Sequence, residues 1–384
     1  SASIGLSAGI SSVLARAAGN KDQNEIKTLA TNTLLFTVIL SLTFTVIGLL
    51  TIDPLFRVMG ADDNILPLIR EYVTIWYFSP LFIMVPMTGG SVMRALGDTG
   101  LQGKLMLYSA IANAVLDPIL IFGLFGFPEL GFSGAAWASL ITRFISFSAI
   151  LYYLTFRFHV ICLRPETLSK FIVSIKRTLH VGIPATATNM IIPIVAAVII
   201  SIIARYGNDA VAATNVATTI EALSLVLFFA LSSVVGPFLG QNLGAGNFAR
   251  IEECIKITTI FCLVWGGLMA ILLALLATTM ATLFTDEPGI VKITTSYLLI
   301  VPISYGLYGL VMSVNAMFNS IGKPVPGVFI STLRVFVLQL PLVYIAAQFY
   351  SLEIAFMFIS ISNIIAGIVG YFWIKKALSE LKTL

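Results

Sequence analysis

Asn113 and Asp117 are the polar side chains with the strongest claim on chemistry. They stand four residues apart in Asn113-Ala-Val-Leu-Asp117-Pro118, inside a run that is otherwise apolar. On a helix that spacing puts both on one face. An ionised carboxylate is costly in apolar surroundings, so the proton on Asp117 becomes tied to the shape around it. Pro118 removes a backbone donor at the next position and marks a place where a helix can bend. The three residues describe a bendable, protonatable point. The competing reading is a neutral Asp bonded to Asn113 that only locks helix packing.

Glu221 is a second protonation candidate, half-way along the apolar run 211–239. Its competing reading is a carboxylate that merely faces a water-filled cleft. Arg143 and Arg334 also fall inside apolar runs, where charges usually have partners; the reading preferred for both is that they snorkel toward the inner surface. Thr186, Thr188 and Asn189 on 175–204, and Ser313, Asn315 and Asn319 on 291–320, are candidates to line a central cleft. So are Met84, Met87, Phe228 and Phe229, which suit flat apolar cargo. Each has the plainer reading of ordinary helix contact, since small and polar residues also hold membrane helices together. Cys162, Cys254 and Cys262 form no CxxC pair, and His159 and His180 are the only histidines. No metal or cofactor is indicated, and the thiols read as buried and inert.

These residues need elements that hold them in an apolar medium. The chain has 384 residues, 58% of them apolar and 10% charged, with a mean hydropathy of +0.99. A soluble domain carries about 25% charged residues, so lipid is the fitting solvent. The net charge of +4 is small and scattered, which argues against nucleic acid as a partner. About 20 apolar residues cross a bilayer as a helix. Such runs predict a partial helix at 1–18 and ten whole ones near 28–50, 68–95, 104–126, 134–157, 175–204, 211–239, 254–284, 291–320, 326–349 and 353–376. None alternates with the period of a barrel strand. Fifteen of the Lys and Arg residues fall on one set of loops; Arg57, Arg70, Arg205 and Lys292 fall on the other. That asymmetry places the C-terminus in the cytoplasm of a multi-pass inner-membrane protein.

An offset of 225 positions relates the two halves. Leu6-Ser7 meets Leu231-Ser232, Gly19 meets Gly244, Ile26 meets Ile251, Tyr72 meets Tyr297, Ser79 meets Ser304 and Gly97 meets Gly322. Both copies point the same way, so the repeat is parallel. The expectation is an all-α polytopic membrane protein of two six-helix lobes related by a parallel pseudo-two-fold repeat. Residues 1–157 form the N-lobe, 158–174 a cytoplasmic link and 175–384 the C-lobe. The repeat further predicts a first helix, and the start of the second, ahead of Ser1. The glycine-rich Gly236-Pro-Phe-Leu-Gly-Gln-Asn-Leu-Gly-Ala-Gly-Asn247 lies at a cytoplasmic helix end and reads as a hinge.

That stretch, with Ile220-Glu-Ala-Leu before it, resembles the C-lobe signature of the multidrug and toxic compound extrusion (MATE) family. Arg94-Ala-Leu-Gly-Asp-Thr99, Asn113-Ala-Val-Leu-Asp-Pro118 and Gly134-Ala-Ala-Trp-Ala-Ser139 resemble its N-lobe motifs. The resemblance implies a monomeric secondary antiporter that exports small amphipathic, often cationic, compounds in exchange for H⁺ or Na⁺. The pattern is most similar to the DinF-like branch, whose N-lobe coupling cluster maps onto Asn113, Asp117 and Ser139. The NorM-like branch places carboxylates where 175–204 and 291–320 have none. The alternative within the wider superfamily is a flippase for lipid-linked saccharides, which calls for a cationic cleft; only Arg143 and Arg334 are available to form one. A membrane enzyme is disfavoured, with no HExxH, no GxSxG and no carboxylate pair at working spacing. A channel is disfavoured by the lack of a filter-like loop.

Overall fold

A computed structural model describes residues 1–60, 62, 64–162 and 167–382. Among these the regular structure is helical throughout, and ten segments are long and apolar enough to cross a membrane. The helices are α1 (Ala2–Gly19), α2 (Gln23–Val58), α3 (Leu66–Tyr77), α4 (Ser79–Ala95), α5 (Thr99–Phe122), α6 (Gly131–Phe156), α7 (Leu168–Ile203) and α8 (Asn208–Ser224). They continue with α9 (Val226–Gly244), α10 (Phe248–Thr282), α11 (Pro288–Ile300), α12 (Tyr305–Ser320), α13 (Pro324–Thr332), α14 (Leu340–Phe349) and α15 (Leu352–Lys382).

Packing divides the chain into two compact units, Lys21–Leu179 and a larger one of Ser1–Asn20 with His180–Leu384. In the smaller unit α2 packs on α4, α4 on α6, and α5 on α6. In the larger unit α12 is central, touching α9, α10, α13 and α15, while α1 lies against α9 and α12.

α10 shows how lipid and core share a helix. Ile251, Ile255, Thr258, Cys262, Gly266, Met269, Leu273, Ala277 and Ala281 are buried at steps of three and four. Ile257, Ile260, Val264, Leu268, Ile271 and Leu275 are exposed at the same steps on the other face. A wholly apolar exposed face is stable against hydrocarbon and not against water. The buried face approaches closely: a Cβ on Gly266 would stand 2.2 Å from the backbone nitrogen of Gly306 on α12. Small residues allow such contact between membrane helices.

The repeat is visible in local structure. The Asp22 carboxylate caps α2 by accepting from the Glu25 amide at 3.0 Å, and Asn247, 225 positions on, caps α10 by accepting from the Arg250 amide at 3.4 Å. Gly97 and Gly322, which follow α4 and α12, both have positive φ, 97° and 76°.

The long apolar runs are less continuous than their composition suggests. The run 68–95 breaks at Phe78, and 291–320 breaks through a 3₁₀ turn at Val301–Ser304. Pro80 and Pro302 lack the amide that would continue the ladder. The run 211–239 breaks at Leu225. There Ser224 Oγ donates to the Ile220 carbonyl at 2.9 Å, a bond that bends helices. In 326–349 a π-helical stretch, Leu333–Gln339, joins α13 to α14. The link expected at 158–174 is shorter, since α7 starts at Leu168; Arg164, Pro165 and Glu166 lie outside the described residues.

Candidate functional site

Two polar centres stand out, one in each unit. In the smaller, Asp98 caps α5 by accepting from the Leu101 amide at 2.9 Å, which starts the helix cleanly. The helix ends where Gly123 turns left-handed at φ 66°. Between these ends Asn113 Nδ2 donates to Asp117 Oδ1 at 3.2 Å, and both side chains are half-buried. α5 stays helical through Pro118, which lies inside it. α6 comes close just beyond Asp117: a Cβ on Gly134 would stand 2.5 Å from the Leu120 carbonyl oxygen. Ser139 is half-buried on α6, and its carbonyl accepts from Thr142 Oγ1 at 3.0 Å. The Asn113–Asp117 bond itself runs within α5 and does not include Ser139.

In the larger unit Glu221 sits one turn before the break at Leu225. The Tyr297 hydroxyl, on α11, donates to Glu221 Oε2. Tyr297 is buried, held edge-on by the Phe356 ring at 4.9 Å. Thr294 Oγ1 donates to the Ala213 carbonyl at 3.3 Å and so fixes α11 against α8. Glu221, half-buried, therefore has a specific partner on α11.

Arg334 does not snorkel. It is 8% exposed, on the π-helical stretch. Its Nη1 donates to Asn363 Oδ1 at 3.0 Å, and its guanidinium lies 4.4 Å from the Tyr308 ring centroid. Asn363 is aimed by its own bond from Nδ2 to Ser304 Oγ at 2.9 Å. Arg143, half-buried, rests over the Trp76 ring at 4.7 Å, with its Nη1 buried. In both places an aromatic face supplies the attraction that an interfacial phosphate or water would have supplied. Tyr297, Tyr308, Ser304 and Asn363 carry no motif; the repeat marks Tyr297 and Ser304 only as echoes of Tyr72 and Ser79.

The expected cleft residues are scattered. Thr186 Oγ1 donates to the Gly182 carbonyl at 2.8 Å and packs where a Cβ on Gly5 would collide with it. Asn189 Nδ2 donates to the Ala185 carbonyl at 2.8 Å. Asn315 Nδ2 donates to Ser331 Oγ at 2.8 Å. Met84 and Phe228 are 4% and 0% exposed, in the interiors of their units. Phe228 fills the space left by the missing side chain of Gly309, so in this conformation it is core and offers no surface to cargo. Among the described residues no three His, Cys, Asp or Glu side chains converge as for a metal ion.

A family model described as MatE matches residues 1–119 and 184–345. The FAD transporter of Shewanella oneidensis is 31% identical over 382 residues, spanning 100% of this chain and 84% of that protein. The probable multidrug resistance protein YoeA of Bacillus subtilis is 26% identical, over 98% of this chain and 84% of that protein. Among solved structures, the Vibrio cholerae MATE transporter VcmN in its bent form superposes with a TM-score of 0.93 at 28% identity, covering 99% of this chain and 86% of that one.

Proposed function

Because the chain belongs to the MatE family of membrane transporters, we propose that it is a secondary active antiporter that exports small amphipathic organic molecules in exchange for H⁺ or Na⁺. The observation that carries the coupling half of this reading is the Asn113–Asp117 hydrogen bond on α5, beside Pro118. An ionised Asp117 accepts from the Asn113 amide. A protonated Asp117 can instead donate, so taking up a proton changes what this turn of α5 holds. Pro118 leaves that turn one backbone bond short and lowers the cost of bending there. Glu221, bonded to Tyr297, is a second place where a proton or cation neutralises a carboxylate. We place the protein in the DinF-like branch on the strength of Asn113, Asp117 and Ser139, as a monomer in the inner membrane with its C-terminus cytoplasmic.

The test is efflux from proteoliposomes holding the purified chain, driven by an imposed pH gradient, then by a Na⁺ gradient. Transport that needs neither gradient, or that keeps full proton coupling in Asp117→Asn, removes this reading.

A second reading concerns cargo. Flavin nucleotides, large planar anions, fit the 31% relative that carries FAD. One observation favours them: Arg334 is a buried cation with no carboxylate in salt-bridge contact among the described residues. Competition of FAD against a cationic dye in the same proteoliposomes separates the two cargo classes.

A further inference from the structure

Arg334 and Tyr305 leave two donors unused in the interior of the larger unit. Arg334 Nε and Tyr305 Oη are both buried, and among the described residues neither has a hydrogen-bond partner. Tyr305 is 0% exposed and Arg334 is 8% exposed. Buried donors are nearly always satisfied, so an unpartnered pair indicates an acceptor still to be supplied.

The surrounding geometry is that of a held group. Asn363 takes Arg334 Nη1 at 3.0 Å, and Ser304 fixes Asn363 at 2.9 Å. Ser304 Oγ in turn donates to the Val301 carbonyl at 2.8 Å, within the 3₁₀ turn that separates α11 from α12. The Tyr308 face lies against the guanidinium at 4.4 Å. Tyr305 and Tyr308 are three residues apart on α12, hence on one side of it. Arg334 itself rides on the π-helical stretch, a distortion frequent at functional sites. Glu221 does not supply that acceptor: its Oε2 is engaged by Tyr297, and among the described residues it forms no ion pair with Arg334.

We infer that Arg334 and Tyr305 form a binding site for an oxyanion, the phosphate or carboxylate group of an organic anion. Arg334 supplies the charge and an N–H edge, Tyr305 supplies an O–H, and Asn363 and Tyr308 position the guanidinium. A planar guanidinium held from one side is suited to take an oxyanion on the other. As a cargo site it rests on the flavin-nucleotide reading above; as an anion site it stands without it.

The probes are FMN, riboflavin and inorganic phosphate, with binding to the purified full chain followed by flavin fluorescence and by thermal shift at constant ionic strength. FMN differs from riboflavin by its phosphate group. FMN is expected to bind about tenfold or more tighter than riboflavin, roughly one charge-assisted contact. Arg334→Gln brings the two affinities together, and Arg334→Lys keeps part of the difference. Tyr305→Phe removes a hydroxyl with no structural partner, so it folds normally and narrows the FMN advantage. Phosphate competes with FMN in the native chain and not in Arg334→Gln. Equal affinity for FMN and riboflavin in the native chain, or an unchanged ratio in both Arg334→Gln and Tyr305→Phe, overturns the site. If phosphate gives a saturable shift that Arg334→Gln abolishes while proteoliposomes export no flavin, the anion site holds and the flavin cargo reading falls.

Discussion

Gly19 and Gly244 occupy the same place in the two copies of the repeat, and each lies against the other's helix. A Cβ on Gly19 would stand 2.1 Å from the Gln241 carbonyl oxygen, and a Cβ on Gly244 would stand 2.2 Å from the Arg16 carbonyl oxygen. Arg16 and Gln241 are themselves 225 positions apart. Ala15 and Gly240, another related pair, meet each other, with the Ala15 Cβ 2.8 Å from where a Gly240 Cβ would be. α1 and α9 therefore pack as a reciprocal pair, each lending the other a side-chain-free surface. Ser12 Oγ, donating to the Asn319 carbonyl at 2.5 Å, ties α1 to α12 at the same end.

Gly19→Ala and Gly244→Ala are each expected to destabilise the fold by about 1–3 kcal/mol, because the added methyl meets backbone that cannot turn aside. Since both act on one contact, the double variant should cost less than the two losses added. Gly267→Ala on α10 is the control, as nothing lies within 4 Å of its Cβ position. Thermal unfolding in detergent reads all four proteins.

Asp117→Asn is expected to abolish gradient-driven efflux while leaving the unfolding midpoint near that of the native protein, since Asn still fits beside Asn113. Asn113→Ala removes the 3.2 Å bond and should cost about 1 kcal/mol of stability. Efflux assays paired with unfolding curves separate the two effects.

Tyr297→Phe leaves the Glu221 carboxylate without its donor and is expected to lower stability by about 1.5–3 kcal/mol, the range for a hydrogen bond to a charged group. Glu221→Gln should recover part of that loss when combined with it. A double-mutant cycle on unfolding free energy measures the coupling, and a coupling near zero would mean the two side chains do not depend on each other.

Phe228→Ala opens a cavity beside Gly309 and is expected to cost about 3–5 kcal/mol. If Phe228 is core, efflux of chemically different cargoes should fall together as folded protein is lost. A selective change for flat aromatic cargo would return it to the cargo site.

Asp22→Ala and Asn247→Ala should each cost about 1 kcal/mol, the usual loss of a helix cap. They cap different helices, α2 and α10, so the losses should add.

The sequence alone determined the medium, the helices, the repeat and one of the two polar centres. Composition excludes water as the solvent for the long apolar runs, and in lipid the backbone then has to be helical. The constant offset of 225 was legible because residues at helix ends, Gly19 with Gly244 and Gly97 with Gly322, recur in register. The Asn113–Asp117 bond was legible because both partners share one helix, where four residues of spacing decide who meets whom. The tertiary structure decided everything that joins different helices. Tyr297 meets Glu221 across 76 positions and Asn363 meets Arg334 across 29. No periodicity within one helix announces such pairs. The same holds for burial: Phe228 and Arg334 look like a cargo surface and a snorkelling cation as single residues. Gly309 gives one its socket and Tyr308 gives the other its partner, and only packing brings those neighbours to them.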